Sequence, residues 1–109
     1  MFILIVEPEV GKMDAVYNTL RDGYQLGFVK SKEDAIKLMA TNLYDFVILD
    51  YVLLEMTGEE FQRALRLNDS KAKIIFTFQK ATETPMAGLK DCKWLGVPFD
   101  AEELLNLLK

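Results

Sequence analysis

Two carboxylates stand where this chain could do chemistry. Asp50 ends the apolar run Phe46-Val-Ile-Leu49, and Glu7 ends the run Phe2-Ile-Leu-Ile-Val6. Runs this apolar read as strands covered on both faces, and the carboxyl ends of such strands are where ligands and reacting groups collect. Glu9 adds a third acid after Pro8. The connection Glu7-Pro-Glu-Val-Gly11 is no glycine-rich phosphate loop. Being acidic, it would repel phosphate unless a metal ion intervened. The bland reading of Asp50, a carboxylate that merely opens a turn, stands beside the chemical one.

Composition narrows the choices. The 109 residues have room for one domain, and half of them are hydrophobic, as in an ordinary globular core. A net charge of -4 and scattered Lys and Arg argue against a direct nucleic-acid surface or an anionic membrane as partner. The chain contains no histidine, which excludes a Ser–His–Asp triad, a Cys–His pair and a histidine-ligated zinc. An enzyme is not expected. Cys92 is the single cysteine, reads as a small buried hydrophobe, and fits a reducing compartment. No run is long enough to span a membrane, so the expected location is cytoplasmic.

The acids must be positioned by the elements around them. Met13, Val16, Tyr17 and Leu20 fall on one face of a first helix that Gly23 would stop. Tyr24 to Lys30 reads as a short strand interrupted by Gly27. Ser31 caps a second helix with Ile36, Met39, Ala40 and Leu43 inward. Thr57 and Glu60 form a capping box for a third, carrying Phe61, Ala64 and Leu65. Lys73-Ile-Ile-Phe-Thr-Phe78 is a further strand. From Gln79 to Lys90 the chain is weakly helical at best, because Pro85 and Gly88 interrupt it, so a shortened or distorted element is expected. Trp94-Leu95 is a brief strand, Gly96 to Phe99 a turn, and Asp100 caps a last helix with Ala101, Leu104, Leu105 and Leu108 inward. Alternation at this pitch predicts an α/β, flavodoxin-like three-layer sandwich spanning residues 1–109, its five-stranded parallel sheet ordered 2-1-3-4-5. Strands 1 and 3 flank the switch point of that order, so Glu7, Glu9 and Asp50 converge on one crevice.

In that setting the chain resembles the receiver domain of bacterial response regulators, the CheY-like family, over essentially its whole length. Ile3-Leu-Ile-Val-Glu-Pro-Glu9 resembles the family's first strand and acidic cluster. Asp50 matches the phosphoacceptor, Gly58 the glycine before the third helix, Trp94 the aromatic switch position, and Pro98-Phe99 the family's Pro-Phe. The resemblance implies that Asp50 attacks a phosphoryl group as a nucleophile. It implies Mg²⁺, held here only weakly by Glu7, Asp50 and the backbone carbonyl of Val52. It further implies a histidine kinase or a downstream signalling protein as partner, and allows a homodimer through the region of the last strand and helix.

The sequence departs from the family at the parts that assist Asp50. Pro8 takes the place of the second acid, Phe78 that of the hydroxyl at the switch, and Val97 that of the phosphate-clamping lysine; Leu54 stands where a proline is usual. Thr77 comes one residue early, and period-two alternation turns it to the other face from Phe78. Lys80 or Lys90 would reach the phosphoryl group only by an unusual path. Losing one preorganised group costs about 3 kcal/mol of transition-state stabilisation, and each 1.36 kcal/mol is about tenfold in rate. The expectation is a pseudo-receiver, a two-component phosphorelay module acting mainly through protein–protein contacts. The alternative is a working phospho-accepting receiver that uses Asp50 and Mg²⁺. A flavodoxin-like cofactor binder is disfavoured for want of a phosphate loop.

Overall fold

The apolar runs become strands because each can hydrogen-bond to a neighbour, and the central ones are covered on both faces. In the computed structural model, which describes residues 1–7, 11, 13–41, 43–51, 58–67, 71–82 and 91–109, they are β1 (Phe2–Val6), β2 (Gln25–Val29), β3 (Phe46–Asp50), β4 (Lys73–Gln79) and β5 (Cys92–Val97). All pair in parallel, in the order β2-β1-β3-β4-β5, as the alternation predicted. The described helices are α1 (Asp14–Leu20), α2 (Lys32–Met39), α3 (Gly58–Leu67) and α4 (Ala101–Leu107).

The sheet separates two cores. On one side Ile3, Ile5, Phe46, Ile48, Ile75 and Leu95 meet Val16 and Leu20 of α1 and Leu104 of α4. On the other, Leu4, Val6, Val47, Leu49, Ile74 and Phe76 meet Ala35 and Met39 of α2 and Phe61 and Leu65 of α3. Adjacent residues of each central strand thus leave on opposite faces, and Phe46 to Leu49 find a core on both.

The helices differ from expectation at their edges. Tyr17 is 38% exposed and packs on Phe28 of the edge strand β2, with ring centroids 5.5 Å apart, so it covers the sheet's rim and not its core. α1 stops at Leu20 with Arg21 as its cap, and Gly23 falls in the turn that follows. In α2 the buried pair is Ala35 and Met39, with Ile36 at their flank; Leu43 lies past the helix end and is 52% exposed. The Ser31 cap is as expected, its Oγ accepting from the Asp34 N–H at 3.1 Å. Ala101 opens α4 on the solvent side, while Leu104 and Leu108 are buried. At the start of α4 the Asp100 N–H donates to Glu103 Oε1 at 3.2 Å. β5 runs on through Gly96 and Val97, which pair with Phe78 and Gln79, so the expected turn begins only at Pro98. Thr57, Pro85, Gly88 and most of the expected irregular element between β4 and β5 lie outside the described residues.

Gly27 does not interrupt β2; it pairs with Leu4. Its lack of a side chain serves Tyr44, whose ring lies across it and meets Phe2 edge-on. A Cβ at Gly27 would stand 2.9 Å from Tyr44 Cζ and 3.0 Å from Cε1, with the hydroxyl nearer still. Gly27→Ala should therefore destabilise the fold by about 1–3 kcal/mol, as overpacking does. The same change in a Tyr44→Phe background should cost less, because the nearest atom is gone. Urea unfolding of the four proteins in that cycle checks this; equal costs in both backgrounds would exclude the contact as the cause.

Candidate functional site

Asp50 is the last residue of β3 and is buried, 6% exposed. The β3–β4 register pairs it with Thr77, itself only 2% exposed, and the Tyr51 N–H donates to the Thr77 carbonyl at 3.0 Å beyond that pair. Partners in a parallel pair project to the same face. By alternation from Ile48 and Ile75, that face is the one α1 and α4 cover. Asp50 and Thr77 are the buried polar residues among those described.

Thr77 is the residue that sequence reasoning undervalued. Alternation does turn it away from the face of Phe78, as expected, but the face it takes is that of Asp50. The usable signal was the register: counting from Phe46 opposite Lys73 brings Thr77 beside Asp50.

Glu7 follows β1 directly and is half-buried. Its N–H donates to the Val29 carbonyl at 2.8 Å, extending the pairing with β2. Its carboxylate turns toward α1, where Oε1 accepts the Met13 N–H at 3.2 Å. Met13 is the residue that precedes α1, so Glu7 satisfies one of the donors a helix start leaves without an internal partner. On its β2 side a pocket of about 240 Å³ is lined by Glu7, Gly11, Asp14 and Phe28 among others. Pro8, Glu9 and Val52 lie outside the described residues.

On the opposite face of the sheet end, the expected switch pair is an aromatic stack. Phe78 meets Trp94 edge-on at 6.2 Å, and Trp94 lies 5.2 Å from both Phe76 and Tyr51. Tyr51, a residue the sequence reading passed over, also meets Phe76 at 5.4 Å. Val97 closes β5, paired with Gln79. The Lys80 ammonium lies 3.7 Å from Glu103 of α4. Its chain crosses Gly96, where a Cβ would come within 2.6 Å of Lys80 Cγ and Cε. Lys90 lies outside the described residues.

Cys92 opens β5 half-buried, with its thiol pushed above its ordinary range by burial, by the Asp91 carboxylate beside it, and against a smaller opposing hydrogen bond with Trp94. That is the reverse of a reactive thiolate site.

No cluster of three or more His, Cys, Asp or Glu that could hold a metal ion occurs among the described residues.

Residues 3–109 match the response regulator receiver domain family. The chain belongs to that family. It is 31% identical, over its full length, to the transcriptional regulatory protein DltR of Streptococcus agalactiae, and 32% identical over 98% of its length to the response regulator ArlR of Staphylococcus aureus. It spans about half the length of these relatives, 50% in each case. Among solved structures, the Vibrio cholerae chemotaxis protein CheY4 superposes with a TM-score of 0.78 at 27% identity, covering 98% of this chain and 94% of that one. The receiver of a sensor histidine kinase from Pseudomonas aeruginosa, with magnesium in its active site cleft, gives 0.78 at 24% identity, over 98% and 93% of the two chains. This receiver therefore has the family's five-stranded fold, and Asp50 ends β3.

The contact between Glu7 and Met13 generates a test. Glu7→Ala should lower stability by about 1 kcal/mol without any metal present, as loss of a helix-start acceptor does. Glu7→Gln, which keeps the accepting oxygen, should cost distinctly less. Thermal melts in chelator would read both; two variants as stable as the parent would mean that the contact contributes nothing.

Proposed function

We propose that this receiver is a degenerate one, which works mainly through protein–protein contacts and makes little stable acyl phosphate on Asp50. The reading rests on the Phe78–Trp94 contact: the position where the family has a hydroxyl is occupied by a ring packed on the switch aromatic. An apolar Val97 at the lysine position and a Lys80 paired with Glu103 support it. Without a hydroxyl and a fixed cation there, the charge that spreads over the phosphoryl oxygens meets no preorganised partner on that side. Glu7 and Asp50 would hold Mg²⁺, which when bound shields the incoming phosphoryl group from the carboxylates. With Glu7 already accepting from Met13, that binding is weak.

The partners are then proteins of a two-component pathway in the cytoplasm, a histidine kinase or a downstream regulator, with the β5 and α4 region as a surface for homodimers. The role is signalling and not enzymatic turnover. A working phosphoacceptor is the second reading, and one observation favours it: Thr77 lies opposite Asp50 in register and buried, so a hydroxyl does stand in the neighbouring strand.

Intact-mass spectrometry after incubation with acetyl phosphate and Mg²⁺ separates the two readings. Little or no gain of one phosphoryl group is expected from the natural sequence. Phe78→Thr combined with Val97→Lys should raise the yield by roughly tenfold or more, since one restored group is worth at least about 1.4 kcal/mol. A stoichiometric gain on the natural chain, abolished by Asp50→Asn, would establish the second reading.

A further inference from the structure

The end of the sheet away from Asp50 carries a charge pattern that the receiver chemistry does not use. Two grooves meet there at Lys73: one of about 600 Å³ under Phe46, between the starts of β3 and β4 and the end of α4, and one of about 370 Å³ beside Cys92. Among the described residues, Arg66, Lys71, Lys73, Lys93 and Lys109 line them, with Asp45 and Asp91. The grooves at this pole are thus lined, among the described residues, by five basic side chains and two acidic ones, in a protein whose net charge is -4.

Among the described residues, Lys73 and Lys93 are held in place by groups other than carboxylates. Lys93 Nζ donates to the Leu107 carbonyl at 2.7 Å, at the C-terminal end of α4, where the helix dipole favours a cation. Arg66 donates to the Ala72 carbonyl at 3.1 Å. The ammoniums of Lys73 and Lys93 lie 5.7 and 6.0 Å from the centroid of one ring, Phe46, which is buried. For Lys73 and Lys93 these contacts are with a ring and a carbonyl, which fix position without neutralising charge. The one carboxylate between the grooves and the β1 edge, Asp45, is itself engaged by the Phe2 N–H at 2.9 Å.

We propose that these joined grooves are a docking site for an acidic segment of a partner protein, with its carboxylates directed at Lys73 and Lys93. An extended nucleic acid fits worse. Its charges continue along the duplex at about one per 1.7 Å, and the acidic remainder of this surface would repel all that overhangs the pole. A short acidic peptide meets the pole alone. The inference does not depend on whether Asp50 accepts a phosphoryl group.

The test is a titration of the ¹⁵N-labelled chain with an oligoglutamate peptide, its oligoglutamine counterpart and a DNA duplex. Oligoglutamate alone should shift the amides of Lys71 to Ile74 and Asp91 to Lys93, and the affinity should fall as salt rises. Lys71→Glu with Lys73→Glu, both on exposed side chains, should weaken binding roughly tenfold. Lys30→Glu, at the other end of the sheet, and Asp50→Asn should leave it unchanged. Absence of shifts with oligoglutamate, equal shifts from oligoglutamine or DNA, or undiminished binding by a folded double variant would overturn the proposal.

Discussion

The burial of β3 on both faces, from Phe46 through Asp50, is the constraint on which the rest of the chain depends. A strand without a solvent face must pair every backbone group with neighbouring strands, so β1 and β4 are required on either side. Those strands in turn need cover, which α1 and α4 supply on one face and α2 and α3 on the other. The same burial carries Asp50 to the end of the strand without releasing it to solvent. Burying a carboxylate there is costly unless polar groups meet it. Its position is therefore a property of the fold, whatever use is made of it.

Parity then divides the end of the sheet into two unlike halves. Asp50 and Thr77 belong to the face of Ile48 and Ile75, whereas Phe78, Trp94 and Tyr51 belong to that of Phe76. Because Tyr51 follows Asp50 in the chain and packs on Trp94, the two halves are joined through one residue's backbone. Rings in edge-on contact are held by shape and dispersion, and contribute nothing to charge neutralisation. The aromatic stack links the ends of β3, β4 and β5 through side chains as well as through the ladder.

Much of this was legible in the sequence. The central strands announced themselves because double burial leaves continuous apolar runs, and the order of the sheet followed from alternation and right-handed crossovers. Asp50 was legible for the same reason, as the first polar residue after such a run. What escaped depends on more than one segment. Leu43 looked like part of a helical stripe because periodicity carries no information about where α2 ends. Gly27 looked like a break because the reason for it, Tyr44, is distant in the chain. Gly96 and Val97 read as a turn, since composition cannot reveal that β4 offers them pairing partners. Thr77 was judged by its own strand's alternation, and only the register against β3 brings it to Asp50.

The charges follow a different logic from the apolar pattern. Scattered along the sequence, Lys and Arg gave no stripe, and a chain with net -4 reads as uniformly acidic. Parallel strands, however, gather residues that precede each run at one end of the sheet and residues that follow it at the other. Lys71 and Lys73 lead into β4, and Lys93 lies near the start of β5, so the fold collects them opposite the end that holds Glu7 and Asp50. A linear reading of charge therefore fails for the same topological reason that a linear reading of the acids succeeds only once the sheet order is known. Shared strand direction thus separates Lys71, Lys73 and Lys93 from Glu7 and Asp50 by the length of the sheet.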